Sequence, residues 1–397
     1  MKRRNFIKTA ALASTAALSP AFLRGSSFGR LLNSRSGKTL VVIQLSGGND
    51  GLNTIIPYRN DLYYQNRPSI GIPVNDVLRV SDELGFHPSL APLRKWYDQG
   101  LMSIINNVGY PNPSRSHFRS MDIWQTASGS SDYWSTGWLG RYLDSECGSD
   151  CSVLHAMDVD YGLSIALRGA ERSGFAMNKP QDLRNATKNP FLESIAPIGH
   201  DHKEENVAYL YKTLTDTQEA ADYLFEKSRV HRSRISYPKG GFAKDLRQVA
   251  ELMTADTDTR IYYVSLGGFD THYSQKGKQA QLLKEYAAGV SAFLEDLEHN
   301  NLLDDTLVMT FSEFGRRVAQ NGSNGTDHGT ANNLYLMSGE LRKPGFYNDG
   351  PNLSQLVNED LAYEIDFRRI YATIIEKWLN GDASEVLRGR FAAMDLV

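Results

Sequence analysis

Cysteine is nearly absent: two residues, Cys147 and Cys151, in a chain of 397. A disulfide-rich framework is therefore excluded, and the pair has no second pair with which to complete a four-cysteine zinc site. In an exported chain, two cysteines four positions apart suit a small loop disulfide; two free thiols are the alternative. Long apolar runs are missing too. No stretch reaches the roughly 18 apolar residues that mark a membrane span. Nor is there a basic block. The chain carries 43 Lys and Arg against 46 Asp and Glu, a net charge of −3, which argues against nucleic acid as a partner. No internal repeat stands out.

One local absence is informative. Residues 1–30 contain no acid but six bases, Lys2, Arg3, Arg4, Lys8, Arg24 and Arg30; without them the balance falls to −9. The twin arginine, the Ala-rich apolar stretch 9–18 and the small residues Ser19, Pro20 and Ala21 read as a twin-arginine export signal. This predicts an exported, periplasmic or envelope-associated protein with the twin-arginine export machinery as a partner. Cleavage near Ala21 and retention as an anchor both remain open. A Ser/Gly/Arg-rich linker, 22–37, follows, and the folded domain is expected from residue 38 to 397.

What is present is an alternation of apolar runs and amphipathic stretches. Strands are expected at Thr39–Leu45, 101–106, Ile261–Leu266, 307–311 and 334–337. Helices are expected over 88–99, 119–126, 137–143, 206–228, 242–253, 279–300 and 368–379. Continuous apolar strands imply a parallel sheet covered on both faces, so the expected fold is α/β, a three-layer αβα sandwich with a mainly parallel sheet. Residues 144–238 are less regular and read as an inserted cap.

Chemistry-bearing residues recur where these strands end. Asp50 lies in Gly47-Gly48-Asn49-Asp50-Gly51, Asp270 and His272 in Gly268-Phe269-Asp270-Thr271-His272, and Glu313 in Ser312-Glu313-Phe314-Gly315-Arg316. Asp327 and His328 lie in a polar, Gly-rich loop. In open α/β sheets, sites form beyond the carboxyl ends of strands, so distant residues can converge there. Carboxylates and imidazoles together suit a divalent metal: zinc, manganese or calcium, one or two ions. Each segment also has a plainer reading: Asp50 as a helix cap, Glu313 as the ion-pair partner of Arg316, His272 as a surface histidine. Ser114, Arg115, Ser116 and His117 form a second cluster at an expected helix start. There Ser116 is a candidate nucleophile and Arg115 an anion clamp, or Ser116 is simply an N-cap. Trp124, Trp134 and Trp138 read as packing residues.

Taken together, the export signal, the Gly47–Asn53 segment (47–53), Ser116-His117-Phe118, and the segments around Asp270, Glu313 and His328 resemble the domain-of-unknown-function family 1501. The resemblance runs from about residue 39 to 379. That family in turn resembles the alkaline phosphatase and sulfatase superfamily, which implies a metal-centred hydrolase. By order, the resemblance assigns Asp50, Asp270, His272 and His328 as metal ligands and Ser116 as nucleophile. Glu313 stands where an aspartate is expected, and Phe314 replaces a ligand histidine. The implied activity is hydrolysis of a phosphate or sulfate ester, on a small molecule or a glycan, with Arg115 or Arg316 clamping the anion. The alternative is an envelope protein that keeps the fold for binding or structure without catalysis.

Overall fold

A computed structural model describes residues 37–146, 154–195 and 205–397. The segment read as an export signal and both cysteines lie outside the described residues. Nine strands form one sheet. In chain order they are β1 (Thr39–Leu45), β2 (Met102–Gly109), β3 (Ala156–Asp158), β4 (Phe175–Ala176), β5 (Ile261–Leu266), β6 (Thr306–Phe311), β7 (Asn332–Met337), β8 (Gly345–Phe346) and β9 (Ile365–Asp366). The spatial order is β8-β2-β7-β6-β1-β5-β3-β4, with β9 also pairing β2. Every pairing is parallel except those of β7, which runs antiparallel to both β6 and β2.

The apolar runs have the expected cause. Along β1, Leu40 and Val42 enter one core while Val41, Ile43 and Leu45 enter the other. Alternate side chains point to opposite faces of a strand, so a sheet covered on both sides needs apolar residues at every position. One covering layer holds α2 (Ala91–Asp98), α5 (Glu205–Val230), α6 (Gly241–Thr254) and α7 (Gln275–His299). The other holds α3 (His117–Thr126), α4 (Trp138–Glu146) and α8 (Phe367–Thr373), which continues as a π turn over Ile374–Trp378. In this second layer Trp124 stacks on Phe311 and Phe367, and Trp138 on Tyr371. The architecture is thus a three-layer α/β sandwich with a mostly parallel sheet. Within 144–238, β3 and β4 extend the sheet at one edge, and α5 packs Ala220 and Leu224 into the first core. No helix among the described residues is long and apolar enough to cross a membrane.

Register places the site. Leu45 of β1 sits level with Leu266 of β5, and Gln44 level with Phe311 of β6. The segments after these three adjacent strands therefore leave the sheet side by side. Because β7 is antiparallel to both β2 and β6, β2 ends at that same edge and its loop delivers the start of α3 there.

Candidate metal centre

Three imidazoles and one carboxylate meet at this edge. His272, His328 and His117 bring their Nε2 atoms within 3.1, 3.3 and 3.5 Å of Asp270 Oδ1. The His272 and His328 Nε2 atoms are 2.9 Å apart. His117, Asp270 and His328 each offer an atom within 4.8 Å of the others. The opposite nitrogen of each ring is held by an oxygen that can only accept. His117 Nδ1 donates to Glu313 Oε1 at 2.9 Å, His272 Nδ1 to Asp327 Oδ1 at 3.2 Å, and His328 Nδ1 to the Arg115 carbonyl at 2.7 Å. In the neutral imidazole this leaves a lone pair on every Nε2.

This donor set fits a divalent ion. Lone pairs and a carboxylate oxygen crowded together repel one another unless a cation is shared among them. Ligands of a tetrahedral ion bonded at about 2.0–2.1 Å lie about 3.3 Å from each other, close to the Nε2 distances from Asp270 Oδ1; His117, Asp270 and His328 are the three whose atoms all lie within mutual reach, which leaves a further position on the ion. His117 Nε2 is buried and has no hydrogen-bond partner. The oxygen on the far nitrogen of each histidine matches the way ligand histidines are oriented in metal sites. The centre also opens to solvent, with the Asp270 and His272 side chains 47% and 40% exposed.

Local chain geometry makes this convergence achievable. Gly47 has φ +116°, and a Cβ there would lie 2.4 Å from the Asp270 backbone nitrogen; Gly48 has φ +73°, and its Cβ would strike the Phe314 ring. Only glycine lets the β1 loop pass this close. Gly47 N–H donates to Glu313 Oε1 at 2.8 Å, so the same oxygen that orients His117 is tied to the β1 loop.

Arg316 braces the centre from behind. Its side chain is fully enclosed. Nε donates to Gly48 O, Nη1 to Thr326 O, and Nη2 to Asp270 Oδ1 at 2.7 Å as well as to the carbonyls of Gly47 and Phe269. Burial raises the Asp270 carboxyl pKa, but the hydrogen bond from Arg316, the contact with His328 and the Arg316 charge outweigh it and hold the value at about 2. The Glu313 hydrogen bond raises the His117 imidazole. His328 is lowered, first by burial, against the pull of the Arg115 carbonyl. Asp327 is lowered, first by its hydrogen bond from Asn321.

The remaining candidate residues stand around or behind this cluster. Asp50 does not join the cluster. It is 1% exposed, caps α1 (Gly51–Thr54) by accepting from Asn53 N–H, and pairs with Arg67 Nη1 at 2.6 Å. A buried guanidinium, not an ion, meets its charge. Arg316, with its guanidinium committed inside the fold, is not placed to clamp an anion. Glu313 is fully buried and acts on His117, one step removed from the ion position. Phe314 is buried, with its ring 4.8 Å from His117 and 4.7 Å from His328. Arg115 pairs with the buried Asp360 and keeps 38% of its side chain exposed. Ser116 is the exposed N-cap residue of α3 and makes no side-chain capping bond.

Against this geometry, a family model described as "Protein of unknown function (DUF1501)" matches residues 37–388. The chain belongs to that family. No curated protein matches this DUF1501 chain by sequence. Among solved structures it is similar to the lipoteichoic acid synthase LtaP from Listeria monocytogenes (9% identity, TM-score 0.34, covering 78% of this chain and 67% of that one). It is also similar to the PsFucS1 sulfatase from Pseudoalteromonas sp. (12% identity, TM-score 0.38, 95% and 75% covered). A third is the C-terminal periplasmic domain of EcEptC from Escherichia coli, in a complex with Zn (10% identity, TM-score 0.37, 77% and 74% covered).

Two residues of the DUF1501 chain carry more weight in space than their sequence context suggests. His117 sits beyond the carboxyl end of β2, the same kind of position as Asp270 beyond β5. That shared position is the signal that marks it, although the neighbouring serines and arginine point toward anion binding. Arg67 has no such signal. It lies in a polar segment, and only the fold shows it buried between Asp50, Asn53 and the carbonyls of Arg317 and Val318.

Proposed function

We propose that this chain is an exported hydrolase of phosphate or sulfate esters that works on a single divalent ion held by His117, Asp270 and His328, with His272 beside them at the open side. The observation that carries this reading is the meeting of three Nε2 atoms at Asp270 Oδ1, each ring anchored through its other nitrogen. A divalent ion bound there would polarise an ester oxygen and make a nearby hydroxyl more acidic. The protein's own contribution is orientation. Glu313, Asp327 and the Arg115 carbonyl hold the three Nδ1 protons, so each ring keeps one tautomer and one direction. Arg316 fixes Asp270 and compensates its charge. Ser116 precedes His117 at the mouth of a ten-residue helix, where free backbone N–H groups favour an anion; its exposed hydroxyl is the proposed nucleophile. The exposed part of Arg115 is the remaining cation at the mouth.

The test is turnover by the zinc- or manganese-loaded protein on a panel of phosphate and sulfate mono- and diesters. His328→Ala is expected to lower turnover at least about 100-fold through loss of the ion, and Ser116→Ala to lower it comparably with the metal retained. Turnover unchanged in His328→Ala refutes the reading. A second reading, a metal-binding envelope protein without hydrolysis, is favoured by Phe314 beside the histidines and by the Arg67–Asp50 pair. Stoichiometric metal with no turnover on any ester would establish it.

A further inference from the structure

Three of the most exposed aromatic side chains lie on or beside the segments that carry His117 and His272. Phe118 is 87% exposed, Tyr133 78% and Tyr273 70%. Phe118 directly follows His117, and Tyr273 directly follows His272. The three imidazoles stand in a row, His117 to His328 at 4.3 Å and His328 to His272 at 4.6 Å between ring centroids. Phe118 and Tyr273 therefore belong to the two ends of that row. Tyr133 joins the Phe118 end, because the Arg119 guanidinium lies 3.9 Å from its ring centroid. Arg119 also donates to the carbonyls of Gly129 and Ser130, which ties this loop to the first turn of α3. Tyr273 sits on a similarly fixed segment, with Ser274 N–H donating to Ser323 O and Gln275 N–H to Asn324 O.

Folding does not require rings at these positions, since they bury almost nothing. Fixed, exposed apolar surface beside a polar centre is the pattern of a binding site. An ion held by neutral imidazoles and one carboxylate keeps positive charge and, with a position open, attracts an anionic group. The part of the ligand bonded to that anion then lies over the rim. Aromatic faces favour flat or ring-shaped partners. We propose that Phe118, Tyr133 and Tyr273 form a rim that selects esters whose phosphate or sulfate is carried by a ring. This rests on the metal-centre reading above and adds the class of group that the substrate carries.

The test compares methylphosphonate with phenylphosphonate, two non-hydrolysable ligands that differ by the ring, titrated calorimetrically into the zinc-loaded protein. Phenylphosphonate is expected to bind about tenfold more tightly. In Phe118→Ala/Tyr273→Ala that ratio is expected to fall to near one, with zinc content and methylphosphonate affinity retained; the positions are exposed, so the fold is spared. A ratio near one in the wild type, with zinc and methylphosphonate both bound, overturns the rim and leaves the metal centre standing. A ratio unchanged in the double variant also overturns the rim. Failure to bind zinc or methylphosphonate refutes the metal reading and the rim with it. A sugar C-phosphonate, equally non-hydrolysable, in the same titration separates the two ring sources, since tighter binding than phenylphosphonate assigns a sugar and weaker binding an aryl group. Co-sedimentation with phosphatidylglycerol vesicles by the wild type alone, with a ratio near one, would place the rings at a lipid surface and overturn the proposal.

Discussion

Glu313→Gln probes the whole arrangement through one atom pair. Glu313 is fully buried, and its Oε1 accepts from both His117 Nδ1 and Gly47 N–H. Glutamine has the same shape, and its amide oxygen can accept from both donors. Its NH₂ group would face the Ser312 hydroxyl, which lies 3.4 Å from Oε2. Packing and hydrogen-bond count are thus nearly preserved, and what is lost is the negative charge behind the imidazole. Hydrogen bonds to an ionised partner are roughly twice as strong as neutral ones. Removing such a support from a ligand histidine commonly costs about 10- to 100-fold in metal affinity, or about 1.4–2.8 kcal/mol. The assay is a competitive zinc titration against a chromophoric chelator, with the thermal midpoint of the metal-free protein measured alongside. Weaker zinc binding with that midpoint nearly unchanged is expected. Zinc affinity within threefold of the wild type, while His117→Ala abolishes binding, would show that the carboxylate does not tune the ligand and would refute the reasoning.

Two further outcomes concern the scaffold. Arg67→Met leaves Asp50 buried without its counter-charge, and breaking a buried pair costs about 3–5 kcal/mol. The urea midpoint should drop accordingly, and adding Asn in place of Asp50 should recover much of the loss; a single variant as stable as the wild type would contradict the buried pair. Asp158, at the end of β3, is held up at about 6 by burial. Its native carboxyl therefore holds its proton more tightly than the unfolded chain does, for which about 3.9 is usual. Stability from this group is full below about pH 4 and is lost as pH rises through about 6, by up to about 3 kcal/mol. Asp158→Asn should consequently be more stable than the wild type at pH 7 and indistinguishable near pH 4, as read from denaturant melts at the two pH values; a constant difference between them would refute the sign.

Much of the layout is legible before any coordinates. Residues 39–45 and 261–266 are apolar at most positions, on both faces, because both faces of the sheet are covered, and this local signal yields the strands without knowledge of their neighbours. Strand direction is less accessible. Nothing in the composition of Asn332–Met337 distinguishes an antiparallel strand from a parallel one, since it is as buried as the rest. Helix starts drift for a related reason. The stripe of α7 marks its core-facing residues, but the helix begins earlier, at Gln275, whose buried amide reaches Asp50.

For the site, the sequence by itself determined that Asp50, Asp270, His272 and Glu313 stand just beyond the carboxyl ends of strands and that His328 lies in a polar loop. This follows from local rules, because an apolar run, a glycine turn and a polar residue are read within a few positions of one another. Which of these face a common point was decided only by the tertiary structure. Strand order and register bring His117 across from β2 to meet Asp270, and pair Glu313 with His117. They also deliver Arg67 to Asp50, so that a residue with the look of a ligand spends its charge on a guanidinium. Arg316, a plausible anion clamp in the linear chain, is enclosed by four backbone carbonyls and Asp270. Local preference fixes what a side chain can do; the partners it meets are set by contacts between segments hundreds of residues apart, and those depend on packing of the whole sheet.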